Sequence, residues 1–314
     1  MPTRALILGA LAATTLAACG GSTDDRVVAP SSSASTAPAR APRKARPVPA
    51  ICGVVKAERT GTVQAADAVE LSGLAVSVAQ PGVLWTHNDS GDRARVFALR
   101  RDGALLASID VAGAQAVDWE DIALARGRIY LADIGDNGAQ RPDVEVYRVR
   151  EPSVLGGAAP AATEPAARFT LRYPDGAHDA ETLLVEPRTG ELAIVTKRLS
   201  GDSGVYVARR PAPGATTTLR HVADLELGLG GLATAGDVSA DGRVVAMRTY
   251  SSVVAWAKRP GETLASTLRR RPCRGRVDLG GEGQGEALAL SRGGSAFFTV
   301  PEGAGAAIRR YVAR

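Results

Sequence analysis

One outline recurs five times along this chain and constrains its fold more than any other feature. Each copy has a polar residue at its third position and continues as a short strand of small apolar residues. Short alternating runs broken by Gly, Pro, Asp and Asn follow each copy, which indicates strands and turns, so an all-β fold is predicted. The copies occupy residues 70–77, 118–125, 179–186, 232–239 and 284–291, with Ser72, Glu120, Glu181, Thr234 and Glu286 at the third position.

The remainder of each copy also repeats. A second strand follows the first, and a third strand then carries one aromatic residue at nearly constant spacing: Phe97, Tyr147, Tyr206, Trp256 and Tyr311. A fourth strand fits the interval after each of the first four copies. The fifth copy ends at Arg314 before its own fourth strand, and the segment from Ile51 can supply it.

A ring of four-stranded sheets that is completed by the other end of the chain is typical of β-propellers. The sequence therefore predicts one five-bladed β-propeller over residues 51–314, closed by its N-terminal strand. Six blades are the alternative, if the long interval between Glu120 and Glu181 conceals extra strands.

Three of the copies carry a family resemblance. The stretches "ELSGLAVS" with "GVLWTHNDSGD", "DWEDIAL" with "GRIYLADIGDN", and "HDAETLLV" with "GELAIVTK" resemble secreted bacterial propeller lipoproteins of a broad group. That group contains phytase-like or esterase-like, SdiA-regulated and TolB-like domains, and the resemblance covers roughly residues 66–314. It implies the propeller fold and suggests phosphoesters or lactones as substrates only by analogy, because a fold alone does not transfer an activity.

The start of the chain predicts export and lipidation. Arg4 precedes an apolar run too short to span a bilayer, so residues 1–18 are expected to be a signal peptide. The tetrad that ends at Cys19 resembles the bacterial lipobox, which implies a lipid on Cys19. Residues 19–50, rich in Ser, Thr, Ala and Pro, are expected to be a disordered tether. The expected location is extracytoplasmic, anchored by lipid to a bacterial membrane; a secretory signal with an incidental cysteine is the alternative.

The net charge of +5 comes mostly from this tether. Residues 1–50 hold 6 of the 38 basic residues and 2 of the 33 acidic ones, so the propeller region is nearly neutral. Nucleic acid is therefore not an expected partner. In an oxidising compartment, a disulfide between Cys52 and Cys273 is predicted, with two free thiols as the alternative.

Propeller topology predicts where acidic residues meet. The loop that enters each inner strand and the loop between the second and third strands lie at one face of the disc, so their carboxylates should converge. Many carboxylates in one place favour a hard divalent cation, with calcium expected. The alternative is that these acids cap turns and receive backbone N–H groups. The candidate ligands are Glu70, Asp89, Asp118, Glu120, Asp133, Asp136, Asp179, Glu181 and Glu286.

These residues support several hypotheses about function. The first is a tethered monomer that binds a small molecule or a protein at its acidic face. The second is a metal-dependent hydrolase at the same face, with Glu120 or Glu181 as the base and His178 as an acid-base candidate. A structural scaffold of the cell envelope is the third. Lone carboxylates around a cation-sized position would favour metal chemistry, and acids paired with arginines or backbone amides would favour the other two.

Overall fold

The computed structural model describes residues 47–228 and 231–314, and nearly all regular structure among them is β-strand. The predicted signal peptide of residues 1–18, Cys19 and residues 19–46 of the predicted tether lie outside the described residues. Within the described part, no helix is both long enough and apolar enough to cross a membrane.

The elements follow the repeat closely. In chain order the strands are β1 (Val55–Thr62), β2 (Leu71–Val76), β3 (Val83–Asn88), β4 (Arg95–Arg100), β5 (Leu105–Asp110), β6 (Trp119–Ala125), β7 (Arg128–Asp133), β8 (Val144–Arg150), β9 (Ala167–Arg172), β10 (Ala180–Val185), β11 (Leu192–Thr196), β12 (Asp202–Ala208), β13 (Thr216–Thr218), β14 (Arg220–Glu226), β15 (Ala233–Val238), β16 (Val244–Thr249), β17 (Val253–Ala257), β18 (Cys273–Arg274), β19 (Ala287–Leu290), β20 (Ala296–Val300) and β21 (Ala307–Ala313). A short helix α1 (Leu264–Leu268) lies between β17 and β18, and Ala50–Cys52 and Gly280–Glu282 form 3-10 turns.

These strands form five sheets, one for each copy of the repeat. From the inner edge outward, blade 1 is β2-β3-β4-β5, blade 2 is β6-β7-β8-β9, blade 3 is β10-β11-β12-β14, blade 4 is β15-β16-β17-β18 and blade 5 is β19-β20-β21-β1. The five-bladed prediction is confirmed. The six-bladed alternative is wrong, because the interval between Glu120 and Glu181 holds β7 to β9 and an irregular segment, residues 151–166.

The N-terminal strand closes the ring, as predicted. β1 pairs antiparallel with β21 from Val55 opposite Ala313 to Thr62 opposite Ala307. It begins a few residues later than the segment from Ile51, because Ala50–Cys52 is a 3-10 turn. Cys52 and Cys273 form a disulfide in the structure, which links the residues before β1 in blade 5 to β18 in blade 4. The inner strands also complete a circle, since β19 contacts β2.

The hydrophobic core is divided among the blade junctions. Five clusters of buried side chains lie between blades 1 and 2, 2 and 3, 3 and 4, 4 and 5, and 5 and 1. The aromatic residue of each third strand is buried in one of them, as Tyr147 and Tyr206 show at 1% exposure each. Each blade therefore buries its apolar surface against two neighbours, which is why the repeat must close.

One strand departs from the simple repeat. β13 lies in the chain between β12 and β14 of blade 3, yet it pairs parallel to β9 at the outer edge of blade 2, with Thr216 opposite Thr170 and Thr218 opposite Arg172. The backbone of blade 3 thus extends the sheet of its neighbour.

A buried carboxyl group joins three inner strands near the axis. Asp121 on β6 accepts hydrogen bonds from the backbone N–H groups of Leu183 on β10 (2.9 Å) and Gly236 on β15 (3.3 Å). Asp237 accepts one from Leu290 on β19 (2.7 Å) in the same manner. Inner strands of different blades are not paired with one another, so these carboxyl groups satisfy donors that would otherwise be buried without partners.

The disulfide is expected to stabilise the closed ring. The variant Cys52→Ala/Cys273→Ala should lose about 2–4 kcal/mol of unfolding free energy, because the bond restricts a very long loop of the unfolded chain. Urea unfolding under oxidising conditions measures this loss. Dithiothreitol should lower the midpoint of the wild type and leave that of the double variant unchanged. Equal midpoints for the two oxidised proteins would contradict the expectation.

Candidate functional site

Four of the inner strands share a backbone irregularity near their start. The register of four inner strands shifts by one residue near the third position of the repeat. In blades 2, 3 and 4 the residues left without a ladder partner are Glu120, Glu181 and Thr234. A bulge of this kind re-aims a side chain and is common beside functional sites. Because of this bulge, the side chains from Asp118 to Glu120 do not alternate between the two faces of the sheet as they would in a regular strand.

Three predicted ligands meet at this bulge in blade 2. Carboxylate oxygens of Asp89, Asp118 and Glu120 lie within 4.8 Å of one another. A Cβ atom at Gly135 would lie 2.3 Å from Oε1 of Glu120 and 2.4 Å from Oδ2 of Asp118. Glycine in the "DIGDN" turn after β7 thus leaves the space that these two carboxylates occupy.

A second group shares Asp89 with the first. Carboxylate oxygens of Asp89, Glu286 and Glu302 also lie within 4.8 Å of one another. The hydroxyl group of Tyr250 donates a hydrogen bond to Oε1 of Glu286 (2.7 Å). The two groups together, Asp89, Asp118, Glu120, Glu286 and Glu302, are called the acidic site below.

A lysine lies beside both Glu181 and Glu286. The ammonium group of Lys197 contacts Oε1 of Glu181 and lies 3.9 Å from Oε1 of Glu286. Burial opposes the charge of Lys197, but the Glu181 carboxylate outweighs it and raises the pKa of the lysine. Burial and the negative charge of Glu286 raise the pKa of Glu181 to about 9, although Lys197 acts in the opposite direction.

Burial and neighbouring acids raise the pKa values of three carboxyl groups in the acidic site. Burial, then the charges of Glu181 and Asp89, raise the pKa of Glu120 far above its ordinary value. Burial with the nearby charge of Asp118 raises the pKa of Asp89 to about 6. Burial and a hydrogen bond with Glu286 raise the pKa of Glu302 to about 8. Carboxylates this close repel one another unless protons or a cation lie between them.

Glu120 has an additional feature that points to a ligand. Its side chain is 3% exposed, and its Oε2 atom is buried without a hydrogen-bond partner among the described residues. Oε2 of Glu181 is in the same condition. Buried carboxylate oxygens normally have partners, so each of these two atoms requires an explanation.

Other predicted ligands have partners within the protein. Oδ1 of Asp133 forms an ion pair with Arg141 (2.9 Å) and accepts a hydrogen bond from the backbone N–H of Asp118 (3.0 Å), while its Oδ2 is buried without a partner among the described residues. Asp136 accepts from the backbone N–H groups of Gln140 and Arg141, and these bonds shape the turn. Neither belongs to the two groups of converging carboxylates.

Glu70 and Asp179 lie at the edge of the acidic site. The carbonyl group of Glu70 accepts from the backbone N–H of Asp89 (2.8 Å), and its side chain is exposed. Asp179 accepts from the backbone N–H of Asp136 (2.9 Å), and its charge helps to raise the pKa of Asp118. Both add negative charge to this face without joining either group.

The histidine chosen from the sequence has different neighbours. His178 contacts Oδ1 of Asp175 (3.0 Å) and the hydroxyl group of Tyr206 (2.9 Å), and its ring lies edge-on against Tyr173. These partners belong to blade 3 and its entry loop rather than to the acidic site. An acid-base role for His178 stays a prediction.

Three residues in or beside the acidic site were not predicted from the sequence. Lys197 and Tyr250 each follow the last residue of a second strand, which is the position that Asp89 occupies in blade 1. Glu302 lies in the corresponding turn of blade 5. The repeat could have indicated all three, because equivalent positions in a propeller face the same axis.

The comparisons with known proteins give likeness in fold only. No family model matches the chain, and no curated protein matches its sequence. Among solved structures, a gluconolactonase from Xanthomonas campestris is 16% identical with a TM-score of 0.47, covering 87% of this chain and 99% of its own. A calcium structure of a Trichoderma reesei carbohydrate-active enzyme of family AA12 is 12% identical with a TM-score of 0.43, covering 77% and 80%. Likeness at this level transfers no activity, and membership of the broad lipoprotein group stays a prediction.

Without a bound cation, stability should fall as the pH rises. Between about pH 4, where the unfolded carboxyl groups ionise, and about pH 8, the folded protein retains protons on Asp89 and Glu302 that the unfolded chain has released. The folded state then binds more protons, so the unfolding free energy decreases with pH. Melting temperatures in EDTA across this range measure the slope.

Glu302→Gln should flatten the upper part of this slope, because the amide has no proton to lose. Glu226→Gln, at an exposed glutamate on β14, is the matched control and should keep the wild-type slope. A wild-type melting temperature that is constant or rises over this range would contradict the expected repulsion.

Proposed function

We propose that the protein is a metal-dependent hydrolase whose acidic site binds a hard divalent cation, with calcium as the expected ion. The observation that carries this proposal is the convergence of five carboxyl groups in two clusters that share Asp89. Lone acids at coordination distance favour metal chemistry over a purely structural role.

Charge supports this interpretation. Among the described residues, no arginine forms an ion pair with any carboxylate of the acidic site, and Lys197 lies 3.9 Å from Glu286. Nearby arginines are engaged elsewhere: Arg95 with Asp92, Arg141 with Asp133 and Arg248 with Glu282. The carboxyl groups of the site therefore outnumber the basic groups beside them, and a bound cation would relieve their repulsion.

The donor set supports calcium. All the candidate ligand atoms are carboxylate oxygens, and neither cluster contains a histidine or a cysteine. Calcium takes about six to eight oxygen ligands in flexible geometry, whereas zinc favours nitrogen and sulfur. Oε2 of Glu120, which is buried and has no hydrogen-bond partner among residues 47–228 and 231–314, is a suitable ligand atom.

The residues beside the acidic site could perform hydrolysis. When bound, a cation polarises the substrate oxygen and makes a water molecule more acidic. Glu181 is the proposed base, because Lys197 holds its Oε1 while its buried Oε2 has no partner in the part of the chain that the structure describes. The charge of a bound cation would lower the pKa of Glu181, so that its carboxylate could accept a proton. Lys197 would stabilise negative charge that develops on the substrate.

Lactones and phosphoesters are the proposed substrate classes. Both present an oxygen that a cation can polarise, and both are hydrolysed by addition of water. Binding of a ligand without hydrolysis is the alternative function. It is favoured by the contacts that join Glu181, Lys197, Glu286 and Tyr250, since these groups partly satisfy one another.

An extracytoplasmic location with a lipid on Cys19 remains part of the proposal. The bond between Cys52 and Cys273 supports it, because disulfides persist in oxidising compartments. The tetrad that ends at Cys19 lies outside the described residues, so mass spectrometry of the mature chain is the direct test.

Calcium should stabilise the wild type strongly. At a concentration 100 times the dissociation constant, binding adds about 2.7 kcal/mol to the unfolding free energy. Asp89→Asn should abolish most of the shift, because this residue belongs to both clusters. Asp102→Asn, at an exposed aspartate, is the matched control and should retain the shift. The same shift in Asp89→Asn, or none in the wild type at millimolar calcium, would remove the metal site.

Hydrolysis should depend on Glu181. With a panel of lactones and phosphoesters and added calcium, Glu181→Gln should lower kcat by about 100-fold or more, the usual effect of losing a general base. It should keep the calcium-induced shift in melting temperature, which separates loss of the base from loss of the metal. Calcium binding by a wild type that hydrolyses neither class would favour the binding alternative.

A further inference from the structure

A cavity lies at the face of the propeller opposite to the acidic site. β6 runs from Glu120 at the acidic face to the hairpin tip at Arg126 and Gly127 at the other face. The cavity beside this tip, between blades 2 and 3, has a volume of about 500 Å³. Buried Tyr130, Phe169 and Leu192 line its inner part. A cavity of this size suits a small ligand.

Four arginines line this cavity, and none of the lining residues that the structure describes is acidic. They are Arg126, Arg128, Arg148 and Arg210. In the described part of the chain, none of the four forms an ion pair with a carboxylate; the side chain of Arg126 donates instead to the carbonyl group of Arg188 (3.3 Å). Four guanidinium groups without a counter-charge repel one another, and a bound anion relieves that repulsion.

The backbone at Arg126 is strained. Its φ angle is +55°, in the left-handed region where residues other than Gly, Asn and Asp are uncommon. The next residue, Gly127, has φ of +67°, so the two form a tight hairpin turn between β6 and β7. Asn-Gly would suit such a turn better than Arg-Gly. Strain of this kind is characteristic of ligand-binding positions.

Arg148 is positioned for an anion by its neighbours. Its guanidinium carbon lies 4.9 Å from the ring centroid of Phe169, so the group stacks on the aromatic ring. Its Nε atom is buried without a hydrogen-bond partner among the described residues. A stacked guanidinium group with an unused donor is typical of phosphate recognition.

We propose that this cavity binds a phosphate group, either of a free phosphorylated molecule or of an anionic lipid headgroup. The guanidinium groups bind the phosphate oxygens, and the aromatic residues contact the organic part of the ligand. The site is at the opposite face from the proposed hydrolase site and does not depend on it.

The test uses the full chain with Cys19→Ala in every variant, so that no lipid on this residue binds vesicles. Pyrophosphate binding is measured by calorimetry, and sedimentation is measured with phosphatidylglycerol vesicles and with phosphatidylcholine vesicles. Arg126→Gly removes one guanidinium group and also relieves the strain, so it should unfold no more easily than the parent. Arg210→Ala is a second variant, at an exposed arginine. Arg209→Ala removes the same charge next to the cavity and is the matched control.

Arg126→Gly and Arg210→Ala should each weaken binding about tenfold, the scale of one charge-assisted hydrogen bond, while Arg209→Ala does not. If the loss occurs with pyrophosphate, the ligand is a free phosphorylated molecule; if it occurs only with phosphatidylglycerol vesicles, the ligand is a lipid headgroup. Failure to bind either probe, or equal weakening by Arg209→Ala, overturns the proposal.

Discussion

The close approach of five inner strands around one axis is the constraint on which the rest of this protein depends. The approach is closest at Gly73, where a Cβ atom would lie 2.6 Å from the backbone nitrogen of Ile122 in the next blade. The inner strands of different blades share no ladder of hydrogen bonds, so buried acids such as Asp121 and Asp237 accept from their free N–H groups. The same geometry brings the starts of the strands together, so residues far apart in sequence become neighbours at one face.

This geometry divides the acidic residues into two kinds. Asp133, Asp136 and Asp92 have arginines or backbone amides as partners, and they shape the loops that surround the axis. Asp89, Glu120 and Glu302 face other carboxyl groups instead, and burial, together with the charges of these neighbours, raises their pKa values. Folding thus buries several carboxyl groups close together where the inner strands begin, at the expense of stability, and the apolar clusters between blades offset the cost.

The repeat in the sequence was sufficient to predict the blades, their number and the closing strand, because each copy needs a neighbour to bury its apolar face. It also indicated that Asp89, Asp118, Glu120 and Glu286 would meet. It did not indicate which acids have partners. Asp133 and Asp136 were predicted as ligands, but the structure shows that the side chain of Arg141 pairs with Asp133 and its backbone N–H donates to Asp136. Lys197 and Tyr250 were missed because a basic and an aromatic residue do not resemble the aspartate at the equivalent position in blade 1. The bulges that redirect Glu120 and Glu181 depend on pairing with the adjacent strand, which local sequence does not encode.

The pairing of β13 with the neighbouring blade affects the junction between blades 2 and 3. Thr216–Thr218 form backbone hydrogen bonds with β9 before the chain returns to β14. The sheets of blades 2 and 3 are therefore joined by backbone hydrogen bonds at their outer edge as well as by side-chain packing inside. This backbone link opposes separation of the two sheets. It also pairs with the outer edge of β9, which could otherwise pair with a strand of another chain. The spacing between blades 2 and 3 at the arginine-lined cavity should therefore vary less than the positions of the loops elsewhere on the propeller.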